Sequence, residues 1–264
     1  ALLMGILQGL TEFLPVSSSG HLMIARDLLG VNPEGFLDFT VTVHFATVLS
    51  TIIIFRKQIF SILKGVLKFR NNDQMDYFLK ICVSMVPVAV VGLFFKDKVE
   101  AVFADSLLTV AICLLVTAAL LCFSDFFSFT PRSGKPARNG ISYLQAVIVG
   151  LGQALAVAPG LSRSGTTIAT GLISGVKREN MAQFSFLMVL VPIIGEQLLS
   201  LPDMFSSGAA AGPGVLALVC GFVGAFVSGL LACSLMVALV RKARLSWFAL
   251  YCALVAAAIL IFAR

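Results

Sequence analysis

The apolar positions of this chain fall in long continuous runs. They neither alternate, as on a half-buried strand, nor form the one-sided stripe of a helix on a soluble core. Phe39–Phe55, Phe78–Phe95, Leu107–Phe123, Phe184–Leu201, Val215–Val240 and Ser246–Phe262 reach or approach the roughly 18 residues of a bilayer-crossing helix. Each predicts one transmembrane span. Two pairs of shorter runs behave differently. Ala1–Phe13 and Leu22–Leu29 are parted by Pro15 and by Ser17-Ser18-Ser19-Gly20-His21. Tyr143–Ala158 and Ile168–Val176 are parted by Pro159-Gly160-Leu161-Ser162-Arg163-Ser164-Gly165-Thr166-Thr167. No member spans alone, so each pair predicts a re-entrant hairpin that enters a membrane and leaves by the same side. Gln58–Lys80 is basic and partly amphipathic and predicts a segment lying along the surface. Ser124–Gly140, with Pro131, Gly134, Pro136 and Gly140, reads as a linker.

The two hairpins are copies. A shift of 145 residues pairs Gly5 with Gly150, Gln8 with Gln153, Ser17 with Ser162, Ser19 with Ser164, Gly20 with Gly165 and Gly30 with Gly175; Leu10/Leu155 and Val31/Val176 complete eight identities in 27 columns. The same shift lays Phe39–Phe55 on the span that follows the second hairpin. The chain therefore reads as two units, residues 1–123 and 142–264 around a loop at 124–141, each a broken hairpin plus three transmembrane helices. Three crossings per unit leave the second unit starting on the opposite side. The expected fold is an all-α integral membrane protein of two inverted-topology repeats, with both broken hairpins pointing at the midplane.

Composition agrees, with 59% apolar and 12% charged residues. The six cysteines all lie in apolar runs without metal-ligand spacing and read as packing residues. No aromatic-basic interleaving favours nucleic acid. Gln8 and Glu12 interrupt the first apolar stretch, which argues against a cleavable signal core. With the spans above, 14 Lys and Arg fall on one side and 4 on the other, and Arg163 at membrane depth completes the 19. The basic side should be cytoplasmic, so the first hairpin should open to the exterior.

The candidate chemistry sits in the breaks. Ionisable groups at membrane depth are costly, which makes Glu12, His21 and Arg163 functional candidates. Gln8 and Glu12, one turn apart, share a helix face. The Ser/Gly stretch exposes amide N–H groups that suit an anion. Arg163 needs an anionic partner, either Glu12 or a bound ligand, and its fork suits phosphate oxygens. His44, inside a span, reads as a hydrogen-bonded packing residue, and Glu196 has no assigned role.

Gln8-Gly-Leu-Thr-Glu12-Phe-Leu-Pro15-Val-Ser-Ser-Ser-Gly-His21 and Pro159-Gly-Leu-Ser-Arg163-Ser-Gly165-Thr-Thr167 closely resemble the two signature motifs of the undecaprenyl-diphosphate phosphatases of the bacitracin-resistance type. The likeness extends through Val43-His44-Phe-Ala-Thr47 and Gln183-Phe-Ser-Phe186, and covers nearly the whole chain. It implies a multi-pass enzyme of the bacterial inner membrane, with its site open to the periplasm or exterior. The implied substrate is an isoprenyl diphosphate lipid, C55 in length, whose terminal phosphate is removed to recycle the carrier of cell-wall synthesis. It also implies a divalent metal ion (Mg or Ca) at Glu12 and Gln8. The first acidic position of that motif is Gln8 here, which leaves Glu12 the only carboxylate of the pair.

Diphosphate cleavage needs charge neutralisation, an in-line nucleophile and a proton acceptor or donor. Ser18 is the expected nucleophile, with His21 as general base or acid and Glu12 and Arg163 neutralising charge. Ser17, Ser19, Gly20, Ser162, Arg163, Ser164, Gly165 and Thr167 are the expected phosphate-binding set. His21 itself, or a metal-activated water, stays open as the attacking group. The alternative class is a transporter or flippase of an anionic isoprenyl phosphate, since inverted repeats with broken helices also build alternating access.

Overall fold

The computed structural model describes residues 1–31, 36–95, 106–127, 137–158, 160–206 and 214–262, with the backbone alone at 37, 196–206 and 241. Pro159, most of the expected linker (Pro131, Gly134 and Pro136 included) and the side chain of Glu196 lie outside the described residues. The order is α1 (Leu2–Phe13), α2 (Ser18–Leu29), α3 (Phe36–Val66), α4 (Asp73–Phe94), α5 (Leu107–Phe126), a 3-10 turn (Arg138–Gly140), α6 (Tyr143–Leu155), α7 (Arg163–Ile173), α8 (Arg178–Ser206), α9 (Val215–Lys242) and α10 (Ser246–Phe262). All regular structure among the described residues is helical. Among the described residues, four helices are long and apolar enough to cross a membrane: α3 over Asp38–Val66, α4, α5, and α9 over Val215–Val240. Leu144, Leu231 and Leu254 are among many large apolar side chains on the outside, where lipid rather than water is the natural solvent.

Local sequence explains the breaks. Leu14 precedes Pro15 and is extended at φ −71°, ψ 144°, because the proline ring disfavours helical backbone before it; α1 stops there. Ser17 then caps α2 by accepting from the Gly20 N–H, and Ser162 caps α7 by accepting from the Gly165 N–H. Gly30 and Gly175 end the two hairpins with positive φ, a conformation that costs a glycine little. The 145-residue shift thus carries one set of caps onto the other.

Two expectations are corrected. Gln58–Lys80 does not form a segment of its own. Helix α3 runs unbroken through Arg56-Lys57 to Val66, the chain turns, and α4 starts at Asp73. Charge marks where a lipid core ends, not where backbone hydrogen bonding ends: Arg56 folds back onto the Ile53 carbonyl and the helix continues. Asn72 closes the turn, accepting from the Met75 N–H and donating to the Gly65 carbonyl. In the second hairpin the returning helix starts at Arg163 rather than at Ile168, so Ser164–Thr167 are helical residues and not loop.

The hairpins enter the bundle from opposite ends. Lys80, buried, donates to Asp76 and to the Arg138 carbonyl; Arg138 reaches Asp73, and Tyr143 reaches Asp76. Arg178 and the Ser246 N–H meet at Asp125. These bonds gather the C-termini of α3 and α5 with the N-termini of α4, α6, α8 and α10 at one end. Helix α6 starts there, and α7 returns to it, with Gln145 donating to the Ser174 carbonyl. Helix α1 instead starts against the N-terminal half of α9, and Arg26 of α2 lies over the Phe36 ring at the start of α3. Glycine permits the closest crossings. A Cβ at Gly5 would overlap the Gly221 carbonyl of α9, and one at Gly150, its partner under the shift, would overlap the Ser84 carbonyl of α4.

Candidate functional site

The tips of the hairpins meet deep in the bundle, where Ser164 Oγ donates to the Leu14 carbonyl across 3.1 Å. Glu12 is at the centre. Its Oε2 accepts from Ser18 Oγ at 2.6 Å and from Gln8 Nε2 at 2.8 Å. His44 Nε2 of α3 lies 3.7 Å from the same oxygen. The other ring nitrogen of His44 lies 2.8 Å from the Thr40 carbonyl; a carbonyl only accepts, so Nδ1 carries hydrogen and Nε2 faces the carboxylate. Arg163 lies within electrostatic reach of Glu12. Glu12 and Arg163 share a small cavity of about 30 Å³ with Thr47, Thr51, Ser164 and Ser185. That is room for only about two waters, walled on one side by Phe13 and Phe186.

Several expected residues therefore converge: Glu12, Ser18, Gln8, Arg163 and Ser164. Ser17 Oγ and Ser19 Oγ lie 3.5 Å apart beside them, with Ser17 capping the helix. Ser162 and Ser164 repeat that arrangement at 3.4 Å in the other tip. Gly20 and Gly165 are close-approach positions, since a Cβ would meet Val110 in the first case and Ser162 and Thr117 in the second. Thr167 is fully buried, bonded to the Arg163 carbonyl and to Ser185 Oγ at 2.6 Å, and holds α7 against α8. The His21 ring bonds groups other than Ser18 Oγ. Its Nδ1 lies 2.8 Å from the Ser17 carbonyl and its Nε2 lies 2.8 Å from the Tyr251 hydroxyl of α10.

The histidine that faces Glu12 is His44, which sequence reasoning had set aside as packing. Its signal was there, in a polar side chain inside an apolar span within the Val43–Thr47 stretch of the resemblance. Thr47 and Ser185 lie in the quoted stretches of the resemblance, whereas Thr51 and Tyr251 lie outside them and carried no comparable signal.

The donor set bears on a divalent metal. Among the described residues no group of three His, Cys, Asp or Glu side chains gathers. Gln8 Oε1, however, is buried beside Glu12 without a hydrogen-bond partner. One carboxylate and one free amide oxygen are hard ligands of the kind Mg or Ca takes when substrate phosphate supplies others. The residues fit such an ion.

Fold and site together define a polytopic helical membrane protein with a buried Ser–Glu–Arg centre suited to a phosphorylated ligand. The family described as bacitracin resistance protein BacA matches residues 1–258, and the chain belongs to that family. Among its relatives are the undecaprenyl-diphosphatase of Bacteroides fragilis, 52% identical over 97% of this chain and 94% of the relative, and that of Bacteroides thetaiotaomicron, 50% identical over 99% and 97%. The undecaprenyl-diphosphatase of Christiangramia forsetii is 46% identical over 100% and 97%.

Proposed function

We propose that this chain is an undecaprenyl-diphosphatase, hydrolysing the diphosphate lipid to monophosphate and inorganic phosphate at the exterior face of the bacterial inner membrane. The observation that carries the reading is the 2.6 Å bond from Ser18 Oγ to Glu12 within a cavity shared with Arg163. In it, Ser18 Oγ attacks the terminal phosphorus while Glu12 Oε2 takes its proton. The anhydride bond breaks and the lipid monophosphate leaves as an anion, with no proton required. Water then attacks the phosphoserine, Ser18 recovers its proton from Glu12, and phosphate departs. Arg163 clamps the phosphoryl oxygens in two-point fashion. Ser19 and Ser164 add hydroxyl donors, and Ser17 and Ser162 order the helix starts whose N–H groups face the anion. A divalent ion held by Glu12 and Gln8 would neutralise charge on the diphosphate.

The architecture supports two inverted units, 1–123 and 142–264, with both hairpins re-entrant in the membrane. The first hairpin opens away from the end that gathers Lys80, Arg138 and Arg178, which supports the exterior mouth. The substrate tail, taken as C55, stays in lipid between spans while only the head enters.

The test is Ser18→Ala in purified protein given undecaprenyl diphosphate. Phosphate release should fall at least about a hundredfold, and acid quenching of wild type should trap phosphoserine at position 18. Near-normal release by Ser18→Ala would instead leave the attack to His21 or to water.

A further inference from the structure

Ser17 is one of three non-glycine residues with positive φ among the described residues, at φ 69°, ψ 92°, a strained conformation at the residue just before Ser18. The second hairpin offers a comparison. Ser162, the counterpart of Ser17 under the 145-residue shift, caps its helix in the same way from a relaxed φ −71°, ψ 113°. The motif itself therefore does not require strain. The second turn takes its positive φ at Gly160, where the first has Pro15; the turns differ as well at Ser18 against Arg163 and, four residues on, at His21 against Thr166.

In both turns the backbone N–H at that position donates to the serine carbonyl, at 3.1 Å for His21 and 2.8 Å for Thr166. Thr166 Oγ1 adds nothing; it is buried without a hydrogen-bond partner. His21 adds a second bond, from Nδ1–H to the same Ser17 carbonyl. With Nδ1 carrying hydrogen toward a carbonyl, neutral His21 accepts the Tyr251 hydroxyl at Nε2, and the two rings stack 9° from parallel with centroids 5.6 Å apart. The next residue of α10, Cys252, directs its thiol at the Pro15 carbonyl, 3.6 Å away. Helix α10 therefore grips the strained turn at two points, the His21 ring and the Pro15 carbonyl.

We infer that His21 and Tyr251 are positioning residues, which hold Ser17 in its left-handed conformation so that Ser18 Oγ is presented to Glu12. The inference rests on the phosphatase reading above. It takes His21 out of proton transfer with Ser18, because both ring nitrogens are committed elsewhere.

A positioning role and a general-base role make opposite predictions in a set of variants assayed for phosphate release from undecaprenyl diphosphate. Asparagine can place its amide N–H where His21 Nδ1 is, but it cannot accept a proton at neutral pH. Wild-type activity tests the phosphatase reading by itself; the ratios below test the inference. His21→Ala should lower kcat about tenfold to a hundredfold, and His21→Asn should stay within about tenfold of wild type. Tyr251→Phe should lower kcat by about fivefold with little change in KM. Glycine adopts the strained conformation freely, so in a Ser17→Gly background the further loss caused by His21→Ala should shrink by at least about fivefold. Circular dichroism and gel filtration identify the folded variants, and Tyr251→Phe, the smallest change, keeps the test readable if the alanine protein does not fold. The inference is overturned if His21→Asn is as inactive as His21→Ala while the His21→Ala loss is undiminished by Ser17→Gly, the pattern of a lost general base.

Discussion

At the scale of single residues, Arg163 opens α7 and lines the cavity together with Glu12. A guanidinium offers a planar fork of donors, and an ammonium offers one point charge. Arg163→Lys should therefore lower kcat/KM by about a hundredfold while the protein still folds, since the charge is kept. Folded Arg163→Lys that turns over normally would leave the arginine a purely structural role. Gln8 gives a second test. Its Oε1 is buried and without a hydrogen-bond partner, so a carboxylate there adds a charged ligand for a divalent ion. Gln8→Glu should keep activity and tighten the dependence on Mg or Ca, seen as a lower half-saturating metal concentration. Glu12→Gln keeps an acceptor oxygen but removes the carboxylate that takes the Ser18 proton, and should abolish turnover. An active Glu12→Gln protein would remove Glu12 from the chemistry altogether.

At the scale of elements, the positions of the helices were legible because membrane runs are long and their breaks carry Pro, Gly and Ser. Pro15 and the two serine caps marked the hairpins directly. The end of α3 was not legible, because Arg56-Lys57 reports the edge of the lipid core and the helix outlasts it to Val66. Nor was the company kept by His21: its partner Tyr251 is 230 residues away, and only the packing of α10 brings them together. Ser18 and Glu12 were both legible as site residues, but the bond between them was not, since His21 three residues on was the expected partner of Ser18. The tight crossings give a prediction of their own. Gly5→Ala and Gly150→Ala each place a methyl against a carbonyl of the facing helix, α9 or α4. Each should destabilise the protein by about 1–3 kcal/mol, read as a lower midpoint in thermal unfolding in detergent. Gly92→Ala, where the added methyl meets nothing within 4 Å, is the control and should be neutral or slightly stabilising.

At the scale of the whole molecule, the two hairpins approach the centre from opposite ends, and the buried ionic clusters around Asp76 and Asp125 belong to one end only. Leu28 at the far end and Phe69 at the basic end are both well exposed. In a background lacking the six cysteines, cysteine at position 28 should react with an impermeant thiol reagent added to intact cells. Cysteine at position 69 should react only after the membrane is opened. The reverse pattern would invert the orientation and move the mouth of the first hairpin to the cytoplasm. The same architecture would serve a carrier that moves an anionic lipid across the bilayer, and what separates the two readings is whether a phosphoanhydride bond breaks. The most direct measurement places the purified protein in liposomes containing undecaprenyl diphosphate and a divalent cation, and follows inorganic phosphate and lipid together. The account predicts one phosphate released for each undecaprenyl monophosphate formed, lost in Ser18→Ala and Glu12→Gln. Reorientation of intact diphosphate lipid with no phosphate released would contradict it.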